Sequence, residues 1–128
     1  MKLRFLALLA PVALGACLSV GPADDQERTL RLGESGRLGL ITLRPIQVVE
    51  DSRCAVGTQC VWAGRLRLRA EVATPSGRHE RTLTLGEQQQ ITGGTLDFKE
   101  ASPRPREGQR LNPGSYRFLF HYRMPPRR

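Results

Sequence analysis

Most of the chemistry this chain can offer lies in one short stretch. Asp51-Ser52-Arg53-Cys54-Ala55-Val56-Gly57-Thr58-Gln59-Cys60-Val61-Trp62-Ala63-Gly64 holds two of the three cysteines and the only tryptophan. Two thiols separated by five residues can close a small disulfide loop, and Gly57 supplies the permissive backbone such a loop often needs. Two thiolates do not complete a tetrahedral zinc site, and His79 and His121 stand at no recognised ligand spacing. A redox pair more typically has two intervening residues and a helix N-terminus that lowers a thiol pKa. Neither metal nor cofactor is therefore expected.

The same loop gathers polar and aromatic groups. Asp51, Arg53, Gln59 and Trp62 are the candidate binding residues, because a loop fixed on a β scaffold is a common place for recognition. A plainer account has Asp51 and Ser52 capping a turn, Arg53 pairing with a carboxylate and Trp62 filling the core. Burial is the expectation for Trp62, and for Arg53 and Gln59 the two accounts stand level.

Catalysis finds little support. A nucleophile needs a base, and the two histidines sit in a charged Arg-His-Glu-Arg stretch and on a strand face. Glu50 and Asp51 are adjacent, so in a strand they point to opposite sides and cannot flank one bond. The sequence reads as a non-enzyme.

The start of the chain carries export signals. Lys2 and Arg4 precede an apolar run from Phe5 to Ala13, interrupted only by Pro11 and far shorter than the roughly 20 residues that span a bilayer. Leu14-Gly15-Ala16-Cys17 then resembles the lipobox of bacterial lipoproteins. That resemblance implies a signal peptide over residues 1–16, a palmitate-type acyl modification of Cys17, and membrane attachment through it. An ordinary secretory cleavage after Ala16 is the competing reading. Acylation accounts for the odd thiol, leaving Cys54 and Cys60 as an even pair. By the family's sorting pattern, Leu18 after the cysteine implies the outer membrane, with the domain facing the periplasm. In that oxidising compartment the pair is expected as a disulfide. Its short loop limits the stabilisation to about 2 kcal/mol.

Residues 50–64 also resemble an Asp-Ser-Arg-Cys-Pro…Gln-Cys-Val-Trp-Ala-Gly signature found in small exported bacterial proteins of uncharacterised function, with Ala55 in place of the proline. The resemblance implies a shared fold and brings no activity with it.

Removing residues 1–16 lowers the formal charge from +8 to +6, and all but one of the remaining basic residues are arginine. The arginines are spread along the chain rather than clustered, as on solvated strand faces. They leave room for an anionic envelope component such as lipid head groups or lipopolysaccharide. Nucleic acid is not expected in that compartment.

Alternation with period 2 supplies the elements that must position the loop. Arg65-Leu66-Arg67-Leu68-Arg69-Ala70-Glu71-Val72 alternates charged and apolar residues, and Thr82-Leu83-Thr84-Leu85 resumes the pattern after Thr74-Pro75-Ser76-Gly77. Residues 64–86 therefore read as a hairpin. Tyr116, Phe118, Phe120 and Tyr122 form one face of a last strand, preceded by the turn signal Asn112-Pro113-Gly114. Residues 28–32, 36–43, 46–50 and 95–99 are shorter candidates punctuated by Gly33, Gly36, Pro45 and Gly93-Gly94. Residues 103–108 read as an exposed loop.

The organisation expected is a polar tether over 17–27, a single all-β domain over 28–124 and a frayed tail over 125–128. About 100 residues suffice for one modest core. Six to eight short antiparallel strands favour a β-sandwich, with a small barrel as the alternative. Two functions follow from this layout. One is a lipid-anchored binding module that uses the Cys54–Cys60 loop on an envelope protein or anionic envelope component. The other is a structural envelope lipoprotein without a discrete ligand. An exposed Trp62 distinguishes the first. The anchor has its own test: Cys17→Ala should abolish incorporation of radiolabelled palmitate, and labelling that persists in this variant refutes lipidation at Cys17.

Overall fold

The structure, a computed structural model, describes residues 25–125. Cys17, the export signals, the tether up to residue 24 and tail residues 126–128 lie outside the described residues. The described chain forms eight strands: β1 (Asp25–Leu30), β2 (Gly36–Leu38), β3 (Ile41–Asp51), β4 (Leu66–Thr74), β5 (Gly77–Thr84), β6 (Gln88–Ile91), β7 (Gly94–Ser102) and β8 (Arg117–Arg123). One 3-10 turn, Pro113–Ser115, precedes β8. No described helix is long and apolar enough to cross a membrane.

The strands pair as two antiparallel four-stranded sheets, β1-β8-β7-β6 and β2-β3-β4-β5, that do not close on each other. The fold is a β-sandwich rather than a barrel. Its core follows from alternation. On β4, Leu66, Leu68, Ala70 and Val72 point inward while Arg67, Arg69 and Glu71 are half-exposed. On β8, Tyr116 to Tyr122 alternate in the same way just before and along the strand, and all four aromatics are buried.

The two sheets contribute different shapes. Phe98, Phe118, Phe120 and Tyr122 line one inner face, and leucines, Ile41, Ala70 and Val72 line the other. Phe98 stacks on Phe120 with centroids 4.9 Å apart and meets Phe118 edge-on at 5.8 Å. Such pairs add to what area burial alone provides.

Three expectations change. The 36–43 candidate is two strands joined at Gly39-Leu40, and its second half continues without a break through the 46–50 candidate as β3. Pro45 therefore lies inside a strand instead of ending one. A residue's N–H and C=O point to the same side of a strand, and the Pro45 carbonyl accepts from Gly33 N at 2.7 Å. The missing donor thus falls on the flank beyond the end of β2, and register shifts at 45/47 and 48/50 absorb the bend. At the N-terminal side, Asp25, Gln26 and Glu27 belong to β1, opposite Arg123, Tyr122 and His121, so the sheet begins three residues before the expected start of the domain at residue 28. Finally, β6 has the polar sequence Gln88-Gln89-Gln90-Ile91, which carries no alternation signal. Pairing with β7 and the buried Ile91 hold it in place.

The register also fixes the two poles of the sandwich. Leu30 lies opposite Phe118 and Ser102 opposite Arg117 at one pole, whereas Asp25 and Thr95 both lie opposite Arg123 at the other. Both long connections, residues 52–65 and 103–116, emerge at the first pole. The chain enters β1 at the second.

Phe98 touches two aromatic neighbours and is nearly fully buried. Phe98→Ala should cost about 3–5 kcal/mol, read as a lowered urea midpoint with an unchanged slope. A loss below about 1 kcal/mol would contradict the core described above.

Candidate functional site

The β3–β4 ladder does not stop where the strands do. Ser52 N donates to Arg65 O at 2.8 Å, Arg65 N to Ser52 Oγ at 3.0 Å, and Cys54 N to Ala63 O at 3.2 Å. Gly64 makes this approach possible, because its φ is +67° and a Cβ there would run into the Ser52 carbonyl oxygen. Beyond that neck the chain opens into a loop closed by the Cys54–Cys60 disulfide, with Cα atoms 5.8 Å apart. Inside the loop, Thr58 N donates to Ala55 O at 3.1 Å across a turn whose Gly57 has φ +91°. From outside, Val56 N donates to Pro105 O at 2.8 Å, and Val56 forms a short parallel bridge with Arg106.

Asp51 and Arg53 come together at the base of the loop. The guanidinium reaches the carboxylate with both ends of its fork, Nε to Oδ1 and Nη2 to Oδ2, each at 2.8 Å. Their side chains are only 10% and 11% exposed. Arg53 Nη1 also donates to Ala101 O at 2.9 Å and Nη2 to Pro103 O at 3.0 Å. The Tyr116 hydroxyl donates to Asp51 Oδ2 at 2.8 Å. Arg53 thus has the carboxylate partner allowed for in the sequence, and the pair ties the loop to the ends of β7 and β8.

Charge states follow from this geometry. Burial alone would raise the Asp51 carboxyl, but hydrogen bonds from Arg53 and Tyr116 and the Arg53 charge outweigh it and hold Asp51 below the usual carboxylate range. The hydrogen bond to Asp51 is the main influence raising Arg53 further above its already high value. Burial and the Asp51 acceptor push the Tyr116 hydroxyl up to about 12.

Trp62 overturns its expectation. It is 82% exposed and its neighbour Val61 is 91% exposed, so the only tryptophan does not fill the core. The reason is geometric: Leu66 and Tyr116 already close the core at this pole, and the loop projects past them. Gln59 is exposed as well and makes no side-chain hydrogen bond among the described residues. Of the four candidate binding residues, two form the base and two are presented outward.

Tyr116 was missed as a partner of Asp51, although a tyrosine at the end of an aromatic strand face needs an acceptor for its hydroxyl. The 103–108 segment was expected to be an exposed loop, and Pro103 and Pro105 are in fact half-buried where they receive the hydrogen bonds of Arg53 and Val56. A hollow of ≈ 470 Å³ lies between the two loops, walled by Arg53, Cys54, Ala63, Leu85, Glu100 and Arg104. A second, of ≈ 430 Å³, lies at the other pole beside Gln90, Thr95, Arg123 and Met124.

Neither hollow holds a base beside a nucleophile. His79 lies on β5 and His121 on β8, in different sheets. Among the described residues no three metal-ligating side chains of the His, Cys, Asp and Glu types converge. No family model, curated protein or solved structure matches the chain.

The base of the loop sets the pH dependence. Asp51 is lowered on folding, so its contribution is full above the free carboxyl value of about 4 and is lost as pH falls through the folded value. Tyr116 is raised, so its contribution is full below the free tyrosine value of about 10 and is lost as pH rises toward about 12. Urea midpoints should therefore be level between about pH 5 and pH 10 and fall on both sides. Tyr116→Phe should shrink the alkaline fall without erasing it, because burial also raises Tyr122. High salt removes the share of the exposed Lys99–Glu27 pair. An alkaline fall of equal size in Tyr116→Phe would contradict the assignment.

Proposed function

We propose that this chain is a lipid-anchored envelope protein whose single domain is a non-catalytic binding module, with the Cys54–Cys60 loop as its contact surface. The observation that carries the reading is Trp62, 82% exposed at the end of a loop held by a disulfide, a bidentate ion pair and a backbone bridge. Leaving a tryptophan and a valine in water forgoes roughly 1.5–3 kcal/mol for each. A rigid support for such a pair reduces the entropy lost when it is covered. Tryptophan and arginine are also the residues that dominate binding hot spots.

Attachment comes from the lipobox resemblance of residues 14–17, which carries the acylated Cys17, the outer membrane and the periplasm-facing location. An anchor feeding β1 enters the domain at the pole opposite the loop. That arrangement leaves the loop unobstructed by its own attachment. Arg53 and Asp51 act as the frame of the surface, and Gln59, Val61 and Trp62 are the groups that make contact. The structural-lipoprotein alternative leaves the exposed Trp62 without a purpose.

A photo-reactive residue at position 62 tests the reading directly. In intact cells, irradiation should give a discrete cross-linked species that is lost when the probe is moved to Arg81 on the edge strand β5. Equal labelling at both positions, or the absence of any protein or lipid adduct at position 62, would sink the proposal.

A further inference from the structure

The residues around Trp62 identify the chemistry of what covers it. The two connections at this pole, residues 52–65 and 103–116, contain five arginines and one acidic residue, Glu107. Arg53 is committed to Asp51, and Arg65 is paired with Glu50 at 2.9 Å. Arg104, Arg106 and Arg110 are exposed and form no ion pair among the described residues. Arg104 stands across the hollow from Cys54 and Ala63, and the backbone of Arg106 bridges Val56. Exposed apolar groups and these guanidinium groups thus lie on adjacent loops at one pole.

From this we infer that the loop pole docks on an anionic phospholipid surface, with Val61 and Trp62 seated among the head groups and Arg104 and Arg106 meeting lipid phosphates. The inference rests on the binding reading above and names its ligand class. Tryptophan has an apolar ring and one N–H donor, which suits the boundary between acyl chains and head groups. Each arginine near an anionic leaflet adds attraction that salt weakens. Guanidinium also matches phosphate with a two-pronged fork.

Shape favours lipid over a protein partner. The tip is a projection of two adjacent apolar residues with half-exposed Val56 behind them. A stable protein interface buries about 800 Å² on each side, whereas the exposed large apolar side chains at this pole are Val56, Val61 and Trp62. A bilayer interface requires no matching pocket. Docking at this pole, with acyl attachment feeding the other, tilts the strands so that both poles lie near one leaflet. The chain from Cys17 to Asp25 can reach at most about 30 Å, so the domain stays within range of the same leaflet.

Trp62 is the only tryptophan, so its emission reports this loop alone. The full-length chain is incorporated into phosphatidylcholine vesicles with and without phosphatidylglycerol. With phosphatidylglycerol, Trp62 emission should shift to the blue and be quenched more by lipids labelled near the head group than by lipids labelled deep in the acyl chain. Added salt should reverse both effects. Arg104→Gln with Arg106→Gln should lower the ratio of docked to free loop about thirtyfold, and Val61→Ser should lower it too, with circular dichroism confirming that each variant is folded. Emission that stays water-like and unquenched overturns the inference, as does an unchanged response in both variants. If that happens while position 62 still cross-links to one discrete protein in cells, the ligand is a protein and the binding module stands. If both measurements are negative, the lipid assignment and the binding reading fall together.

Discussion

The ion pair between Asp51 and Arg53 is the constraint on which the loop pole depends. Taking both charges out of water is costly, and a pair left with open valences would destabilise the fold. Here four of the five Arg53 N–H donors have protein acceptors. Arg53 spends two of them on the carbonyls of Ala101 and Pro103, and Asp51 accepts from Tyr116 as well as from Arg53. The network joins the end of β3, the end of β7 and the approach to β8, so one charge pair fixes two long connections that have few apolar contacts of their own. A largely buried network with this many partners specifies one arrangement even where its net contribution to stability is small.

The core supplies the other half of that arrangement. The face Tyr116, Phe118, Phe120 and Tyr122 places two phenylalanines in the middle and a tyrosine toward each pole. Tyr116 bonds Asp51 at the loop pole, and Tyr122 donates to Ile91 O at 2.9 Å at the opposite one. Both hydroxyls leave the apolar interior at the point where a polar partner can reach them. The same series of rings therefore packs the sandwich and registers its connections at both ends.

These features differ in how far the sequence reveals them. Alternation in residues 65–72 and 116–122 is local, and it identified β4, β8 and the sandwich because burying one face demands it. The disulfide was legible from cysteine count and spacing. The partnership of Asp51 with Tyr116 was not, since the residues are 65 positions apart and only the sheet topology brings them together. Pro45 was misread for a related reason: a proline breaks a ladder only on the flank where its N–H is needed, and that flank depends on where β2 ends. Residues 88–90 look like loop because an edge strand paired on one side tolerates polar residues in succession.

Trp62 was misread by the rule that usually serves best, that a lone large aromatic belongs inside. The rule fails where the core is already closed. Leu66 and Tyr116 seal this end of the sandwich, and the extra ladder bonds of Ser52, Cys54 and Arg65 carry the chain beyond the seal before it turns. With the neck held by Gly64 and the flank held by Val56 on Pro105, the loop has little freedom to fold back and cover its own tip. Rigidity here works against burial. The devices that fix the loop also keep Val61 and Trp62 in solvent, and this separates a base that stabilises from a tip that is free to bind.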